Sequence, residues 1–246
     1  MQRPAVDRPL IFAHRGASRV APENTLPAFA KAIELGADGV ELDVQFSSDG
    51  KLIIMHDYVL EKTTNGTGRV VSHPLDELRA LDAGSSFGPQ FAGTQIPTLG
   101  EVLDLLRGKL LVNIELKSFD IRSTLGRDVV AEVHSHDMSD QVILSSFNPF
   151  TLRTAKQAGR EIECGLLTAP DLAWWLRSGF MRRYSLAEGL HPEAKMVDAA
   201  YVAWAHRAHM PVRVWTVNTE DEMRRLIDLG VDAIITDVPD QLKALL

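Results

Sequence analysis

A single cysteine, Cys164, stands in a chain of 246 residues, so no internal disulfide can brace the fold. That usage fits a reducing compartment. Long apolar runs are also missing. No stretch approaches the roughly 18 apolar residues that a spanning helix needs. The opening MQRPAVDRPLIF carries no long apolar segment behind its charges and does not read as a secretory signal. The expectation is a soluble, cytoplasmic protein with no stable membrane insertion. Basic clusters are absent as well, and the formal net charge is −7, which disfavours a nucleic-acid partner. An acidic chain that handles an anionic substrate needs local positive charge, from a metal or from a few placed Arg and Lys. There is no internal repeat, no low-complexity tract and no linker, so residues 1–246 are expected to form one domain.

What is present is rhythm. Hydrophobic residues make up 45% of the chain, enough for a sizeable core. Short β-like runs at 9–13, 38–43, 109–114, 141–145, 161–166, 185–190, 211–216 and 232–236 alternate with helical patterns. The helical patterns fall at 25–35, 98–107, 123–137, 149–158, 171–180, 198–209 and 219–229, with a last helix beginning near Pro239. Asn148-Pro149 supplies an N-cap followed by proline at the first helical position. Eight strands each followed by a helix predict an α/β fold, a TIM-type (β/α)8 barrel. A doubly wound open sheet is the alternative, but no G-x-G-x-x-G joins a strand to a helix.

Two stretches break the rhythm. KLIIM (51–55) follows SSDG, a tight-turn signal. A turn at 47–50 sends this run back antiparallel beside the second strand and sets residue 41 opposite residue 56. The segment 57–97 is long, rich in Gly and Thr, and weakly periodic. Together these predict a small insertion after the second strand, at about 47–97, lying over the barrel mouth.

Active sites of such barrels gather at the C-terminal strand ends. The first strand ends in His14-Arg15-Gly16 and the seventh in Trp215-Thr216. Glu41 and Asp43 lie two apart on the second strand, so they share a face, with Val40, Leu42 and Val44 on the other. Glu115 and Lys117 share a face by the same rule. Unpaired acids inside a barrel carry a large desolvation cost. Three carboxylates from adjacent strands suit a hard divalent cation, Mg2+ or Ca2+. The hairpin brings His56 to the mouth that holds His14, and two histidines there suit proton exchange near neutral pH. Arg15 and Lys117 add the positive groups a phosphate needs. For Glu115 and Lys117, a structural ion pair is the competing reading.

The ordered set HRG, PENT, GADGVELDVQFSSDGKLIIMHD, NIELK, LSSFN and VWTVN…GVDAIITDVP resembles the glycerophosphodiester phosphodiesterase family over nearly the whole chain. The resemblance implies a TIM-type barrel with a small insertion. It also implies metal-dependent hydrolysis of a glycerophosphodiester to glycerol 3-phosphate and an alcohol. On that basis Glu41, Asp43 and Glu115 would be the metal ligands and His14 and His56 the acid–base pair. Arg15 and Lys117 would hold the phosphate. The resemblance favours His14 as proton acceptor and His56 as donor. The nucleophile is either the glycerol 2-OH, through a cyclic phosphate, or water.

The remaining signals are weaker. Asn24 reads as a helix N-cap, with Glu23 supporting the site from behind. Trp215 is either core or a pocket wall against the glycerol carbons. Cys164 reads as a small buried residue. His191, before Pro192, suggests a loop role. Trp174, Trp175, Phe180, Met181, Arg182 and Arg183 read mainly as a barrel helix packing inward. A homo-oligomer face or a weak membrane contact is the sharper alternative for that patch. A second enzyme reading keeps the site and takes lipid-like diesters; it needs an apolar groove near Phe87, Phe91 and Trp215. A catalytically silent phosphate-binding barrel is the third, and it requires a missing ligand or histidine.

Overall fold

The computed structural model describes residues 7–177 and 180–246. Among these residues nine strands form one sheet. They are β1 (Leu10–His14), β2 (Gly39–Phe46), β3 (Leu52–Ile54), β4 (Leu111–Leu116), β5 (Val142–Ser146), β6 (Glu163–Thr168), β7 (Gly189–Pro192), β8 (Arg213–Val214) and β9 (Ala233–Thr236). The order is β7-β6-β5-β4-β2-β1-β9-β8, parallel throughout, with β3 antiparallel on β2. The β7–β8 seam is bridged by Leu190 with Val212 and by Glu193 with Trp215, which nearly closes an eight-stranded barrel. The expected TIM-type architecture is therefore the one observed.

The helices arise where apolar residues recur at helical spacing. In Leu99–Leu106 the buried residues are Leu99, Val102, Leu103 and Leu106, one stripe facing the strands. Thr98 opens that helix with a capping box: its hydroxyl accepts from the Glu101 N–H while the Glu101 carboxylate accepts from the Thr98 N–H. Asn148 caps the helix Pro149–Ala158 as expected, accepting from Phe150 and Thr151. Outward strand residues such as Val40, Leu42, Val44, Val112 and Ile114 pack under the helices. Inward residues Phe12, Leu111, Ile143, Ala233 and Ile235 fill the barrel axis.

Several expectations change. The sixth run, expected at 185–190, starts later: Arg182–Ser185 is a helical turn, Leu186 adopts φ 62°, and β7 begins only at Gly189. The helix expected at 171–180 is seen as Trp174–Arg177, and residues 178–179 of it lie outside the described residues. It does not pack inward. Trp174 is 65% exposed and Phe180 69%. His191 is not a loop residue either; it is wholly buried in β7. There Arg213 Nη1 lies 3.4 Å from His191 Nε2 and 2.6 Å from Glu163 Oε1. Burial first, and the Arg213 charge second, push His191 down to about 3.

The hairpin exists, but its register differs by one residue. Val44 pairs with Ile54 and Phe46 with Leu52, and the Met55 N–H donates to the Asp43 carbonyl. The loop is the three residues Ser48, Asp49 and Gly50, with Gly50 at φ 75°. A three-residue loop needs one left-handed residue, which glycine supplies without strain. Counting on, Leu42 rather than Glu41 falls opposite position 56. The excursion that follows carries its own small apolar cluster of Ile53, Met55, Leu60, Val70, Leu78, Ala83 and Ile96. Within it Phe87 and Phe91 meet edge to face, ring centroids 5.5 Å apart.

Candidate active site

Strand register lays the polar side chains in rows across the barrel mouth. His14 is the Cα partner of Glu41, and Glu41 of Asn113. One level higher, Asp43 partners Glu115 and Glu115 partners Ser145. Alternation along each strand turns all of them inward. Carboxylate oxygens of Glu41, Asp43 and Glu115 come within 4.8 Å of one another. The expected trio is thus assembled.

Burial makes that proximity costly. Glu41 is held well above the usual carboxylate range by desolvation, then by repulsion from Asp43 and Glu115. Glu115 is pushed up to about 7 by the same two effects, partly offset by Lys117. For Asp43 burial acts upward, but Lys117, Arg15, His56 and the Asn24 hydrogen bond outweigh it and hold the group low. Lys117 Nζ sits 3.4 Å from Asp43 and 3.3 Å from Glu115. The structural ion pair is therefore real and belongs to the same cluster as the trio. Burial disfavours the ammonium, yet the two acids raise its proton affinity above the ordinary value.

Arg15 and Gly16 explain the sharp end of β1. Arg15 takes φ 54° and Gly16 φ 80°. A Cβ on Gly16 would lie 2.7 Å from the Ala28 backbone, so only glycine lets the chain turn here against the following helix. The turn aims the Arg15 N–H at Glu41 Oε2 (3.1 Å). The guanidinium bonds Glu23 Oε1 (2.9 Å) and stands 3.5 Å from Asp43. Glu23 so supports the site, as expected. Asn24 does not cap a helix. It adopts φ 56°, donates from Nδ2 to Asp43 Oδ2 (2.9 Å) and accepts from the Asp43 N–H, fixing that carboxylate.

Both histidines reach the mouth, by different routes. His14 ends β1 with Nε2 3.9 Å from Glu41 Oε2 and Nδ1 2.6 Å from Asp237 Oδ1. His56 arrives because the chain leaves the ladder after Ile54. Buried Gln45 donates from Nε2 to the carbonyls of Met55 (2.8 Å) and Asp57 (2.9 Å), clamping both sides of His56. Its proton affinity is lowered by burial; Asp43 opposes that effect, and the Lys117 and Arg15 charges add to it.

Strand order places Asn218 and Asp237 at the ends of the seventh and eighth strands but gives them no role, and sequence reasoning missed Gln45. Asp237 is held by Asn218 Nδ2 (2.6 Å) and Ser18 Oγ (3.1 Å), while Asn218 Oδ1 accepts from the Asp237 N–H. Its carboxyl stays below the usual range, since its hydrogen bond to His14 outweighs burial. Gln45 was open to the period-two rule, sharing a face with Glu41 and Asp43. Asp237 directly follows β9, His14 ends β1, and those strands pair.

On the Glu115 and Lys117 side the mouth widens into a cavity of about 660 Å3, with Trp215 on its wall. Trp215 donates to the His191 carbonyl (2.7 Å) and meets Phe147 edge to face.

Comparison with known proteins gives a consistent picture. Residues 14–241 match the glycerophosphoryl diester phosphodiesterase family. A glycerophosphodiester phosphodiesterase of Caldanaerobacter subterraneus subsp. tengcongensis is 41% identical over 236 residues, 95% of this chain and 96% of that one. A phosphodiesterase from Oleispira antarctica, solved with the product sn-glycerol-3-phosphate, superposes with TM-score 0.84 at 33% identity, covering 96% of each chain. A glycerophosphodiester phosphodiesterase from Agrobacterium tumefaciens gives TM-score 0.83 at 32% identity, over 96% of this chain and 99% of that one.

Proposed function

Because the chain belongs to the glycerophosphoryl diester phosphodiesterase family, we propose that Glu41, Asp43 and Glu115 hold a divalent cation where His14 and His56 exchange protons with a glycerophosphodiester. The chain is a phosphoric diester hydrolase; the products are glycerol 3-phosphate and an alcohol. It works as one catalytic unit over residues 1–246, with the segment at about 47–97 as its insertion, and it acts in the cytoplasm, which its cysteine usage supports.

The observation that carries this reading is the closeness of three carboxylates, Glu41 and Asp43 buried and Glu115 partly so, their oxygens within 4.8 Å. Hard oxygen donors of this kind suit Mg2+ or Ca2+. Two buried polar atoms at the same place, Arg15 Nε and His56 Nδ1, make no hydrogen bond and stand 3.5 Å from Asp43 and 3.4 Å from Asp57. When bound, the cation supplies Lewis acidity, drawing charge from a phosphoryl oxygen and easing deprotonation of a nearby hydroxyl. Arg15 and Lys117 hold the other phosphoryl oxygens. Trp215 backs the organic part of the substrate.

Proton roles follow from hydrogen bonding. An ionised carboxylate only accepts, so Asp237 fixes the His14 proton on Nδ1 and leaves the Nε2 lone pair facing the site. His14 is then the base that takes the proton of the nucleophile, either the glycerol 2-OH or water. The 2-OH route gains from intramolecular orientation, worth about 7–11 kcal/mol in well-aligned cases. Burial, with the Lys117 and Arg15 charges, outweighs Asp43 and Asp57 and makes the His56 proton easier to release, which suits the acid that protonates the leaving oxygen. A silent barrel would lack one of the three acids or two histidines, and the sequence carries all five.

The test is a panel of glycerophosphocholine, -ethanolamine, -glycerol and -inositol. Glycerol 3-phosphate is measured by a coupled assay, with and without chelator. The expected result is release that chelator abolishes and Mg2+ or Ca2+ restores. Full turnover in chelator would overturn the metal assignment.

A further inference from the structure

Tyr58 comes two residues after His56, near the start of the insertion. Its backbone is held on both sides. The Val70 N–H donates to the Tyr58 carbonyl (3.1 Å), Val59 bridges Arg69 antiparallel, and the Leu60 N–H donates to the Gly68 carbonyl (2.9 Å). Just before it, Gln45 grips the Asp57 carbonyl. A fixed segment therefore carries the half-buried ring to the barrel mouth, beside Glu115 and Lys117. There it packs against Phe119, ring centroids 5.1 Å apart, and Lys117 Nζ stands over it at 5.7 Å from its centre. An ammonium at that distance is attracted by the aromatic face.

The hydroxyl of that ring has no partner. Among the described residues it makes no hydrogen bond, although a tyrosine drawn into a protein usually pairs its O–H. Burial holds the phenol above its ordinary value; Lys117 opposes that effect, and Glu115 and Asp43 add to it. At neutral pH it is a proton donor that lies in the field of all three groups. The cations beside it are already committed. Lys117 has three N–H donors, and its ammonium stands 3.4 Å from Asp43 and 3.3 Å from Glu115. Arg15 gives Nη1 to Glu23 (2.9 Å) and sets Nε 3.5 Å from Asp43. A phosphodiester brings two charged oxygens, and each accepts more than one hydrogen bond. A further donor next to Lys117 meets that demand.

We propose that the Tyr58 hydroxyl donates a hydrogen bond to the phosphoryl oxygen held by Lys117, which makes Tyr58 a further phosphate-binding residue. This rests on the hydrolytic reading above, in which Lys117 holds the phosphate. Tyr58 then has two separable parts. Its ring gives the Lys117 ammonium a face to lie on, and its hydroxyl completes the hydrogen bonding of the oxygen. The phenol keeps its proton, so the contact is made alike to diester and to product. Removing it costs affinity more than turnover.

The experiment compares wild type, Tyr58→Phe and Tyr58→Leu with divalent cation present. Glycerol 3-phosphate and inorganic phosphate are titrated calorimetrically into each protein, and glycerophosphocholine hydrolysis gives kcat and KM. Tyr58→Phe keeps the ring and removes only the oxygen. It is expected to bind both phosphates about tenfold more weakly, because a hydrogen bond to a charged group is lost. KM should rise by a similar factor, with kcat within about threefold. Thermal melts of wild type and Tyr58→Phe are expected to coincide, since the hydroxyl bonds no protein group among the described residues. Tyr58→Leu is expected to lose at least as much affinity. Tyr58→Phe binding both phosphates as tightly as wild type overturns the proposal, whatever Tyr58→Leu does, because the ring alone would then matter. A loss for glycerol 3-phosphate but not for inorganic phosphate also overturns it, because the contact would then be to the glycerol. A wild type that hydrolyses no diester overturns the hydrolytic reading instead, and the two titrations alone then decide whether the hydroxyl binds phosphate.

Discussion

His14 Nδ1 and Asp237 Oδ1 are 2.6 Å apart across 223 positions of sequence. Asp237 bonds His14, Ser18 and Asn218 and none of Glu41, Asp43, Glu115, Arg15 or Lys117, so on the proposed mechanism it positions the imidazole. Asp237→Asn is expected to lower kcat by about 10–100-fold. KM should stay within about twofold, since substrate binding is carried elsewhere. A loss confined to KM would contradict the positioning role.

His14→Ala and His56→Ala should each cost at least about 100-fold in turnover. The fold should survive both, because neither ring lies in the apolar core. Circular dichroism and thermal melts check the fold while the coupled assay reads the rate. Near-normal turnover in either variant would remove that residue from proton transfer.

Cation binding should be visible as stability. A ligand at one hundred times its Kd stabilises the folded state by about 2.7 kcal/mol, or about 5–10 °C in Tm for a chain of this size. Glu41→Gln should abolish most of that gain. Without cation the same variant is expected to melt no earlier than wild type, since it relieves repulsion from Asp43 and Glu115. A metal-dependent shift of equal size in both proteins would exclude Glu41 as a ligand.

His191 predicts a pH dependence of folding. Its folded-state pKa, about 3, lies below the ordinary 6.5, so the unfolded chain binds the proton more readily. Its contribution is complete above pH 6.5 and is lost progressively as pH falls toward 3. At pH 5 the loss is about 2 kcal/mol. His191→Gln should be less stable at pH 7 yet lose less between pH 7 and pH 5. Denaturant midpoints at the two pH values measure the difference. Parallel losses in both proteins would place the acid sensitivity elsewhere.

Strand periodicity made much of this site legible. Glu41 and Asp43 could be assigned to one face because β-strands alternate strictly, and Glu115 followed by the same rule. The hairpin was legible as a turn but not in register, because SSDG can close with either a three- or a four-residue loop and only the backbone at Gly50 decides. Asn24 was misread because an Asn before a helix usually caps it; here a left-handed backbone aims the side chain at Asp43 instead. Asp237 and Asn218 were legible as strand-end residues, but not as partners of His14, which lies 223 positions away from Asp237. The wall of Trp215 and Phe147 depends on how separate loops converge, which no single window of sequence contains.

β1 is paired on one side with β2 and on the other with β9. During synthesis the ribosome delivers the imidazole of His14 ahead of its carboxylate partner by 223 residues. On the proposed mechanism a nascent chain holds its acids and both histidines before His14 has its positioning partner, so full activity waits on the docking of β9 beside β1.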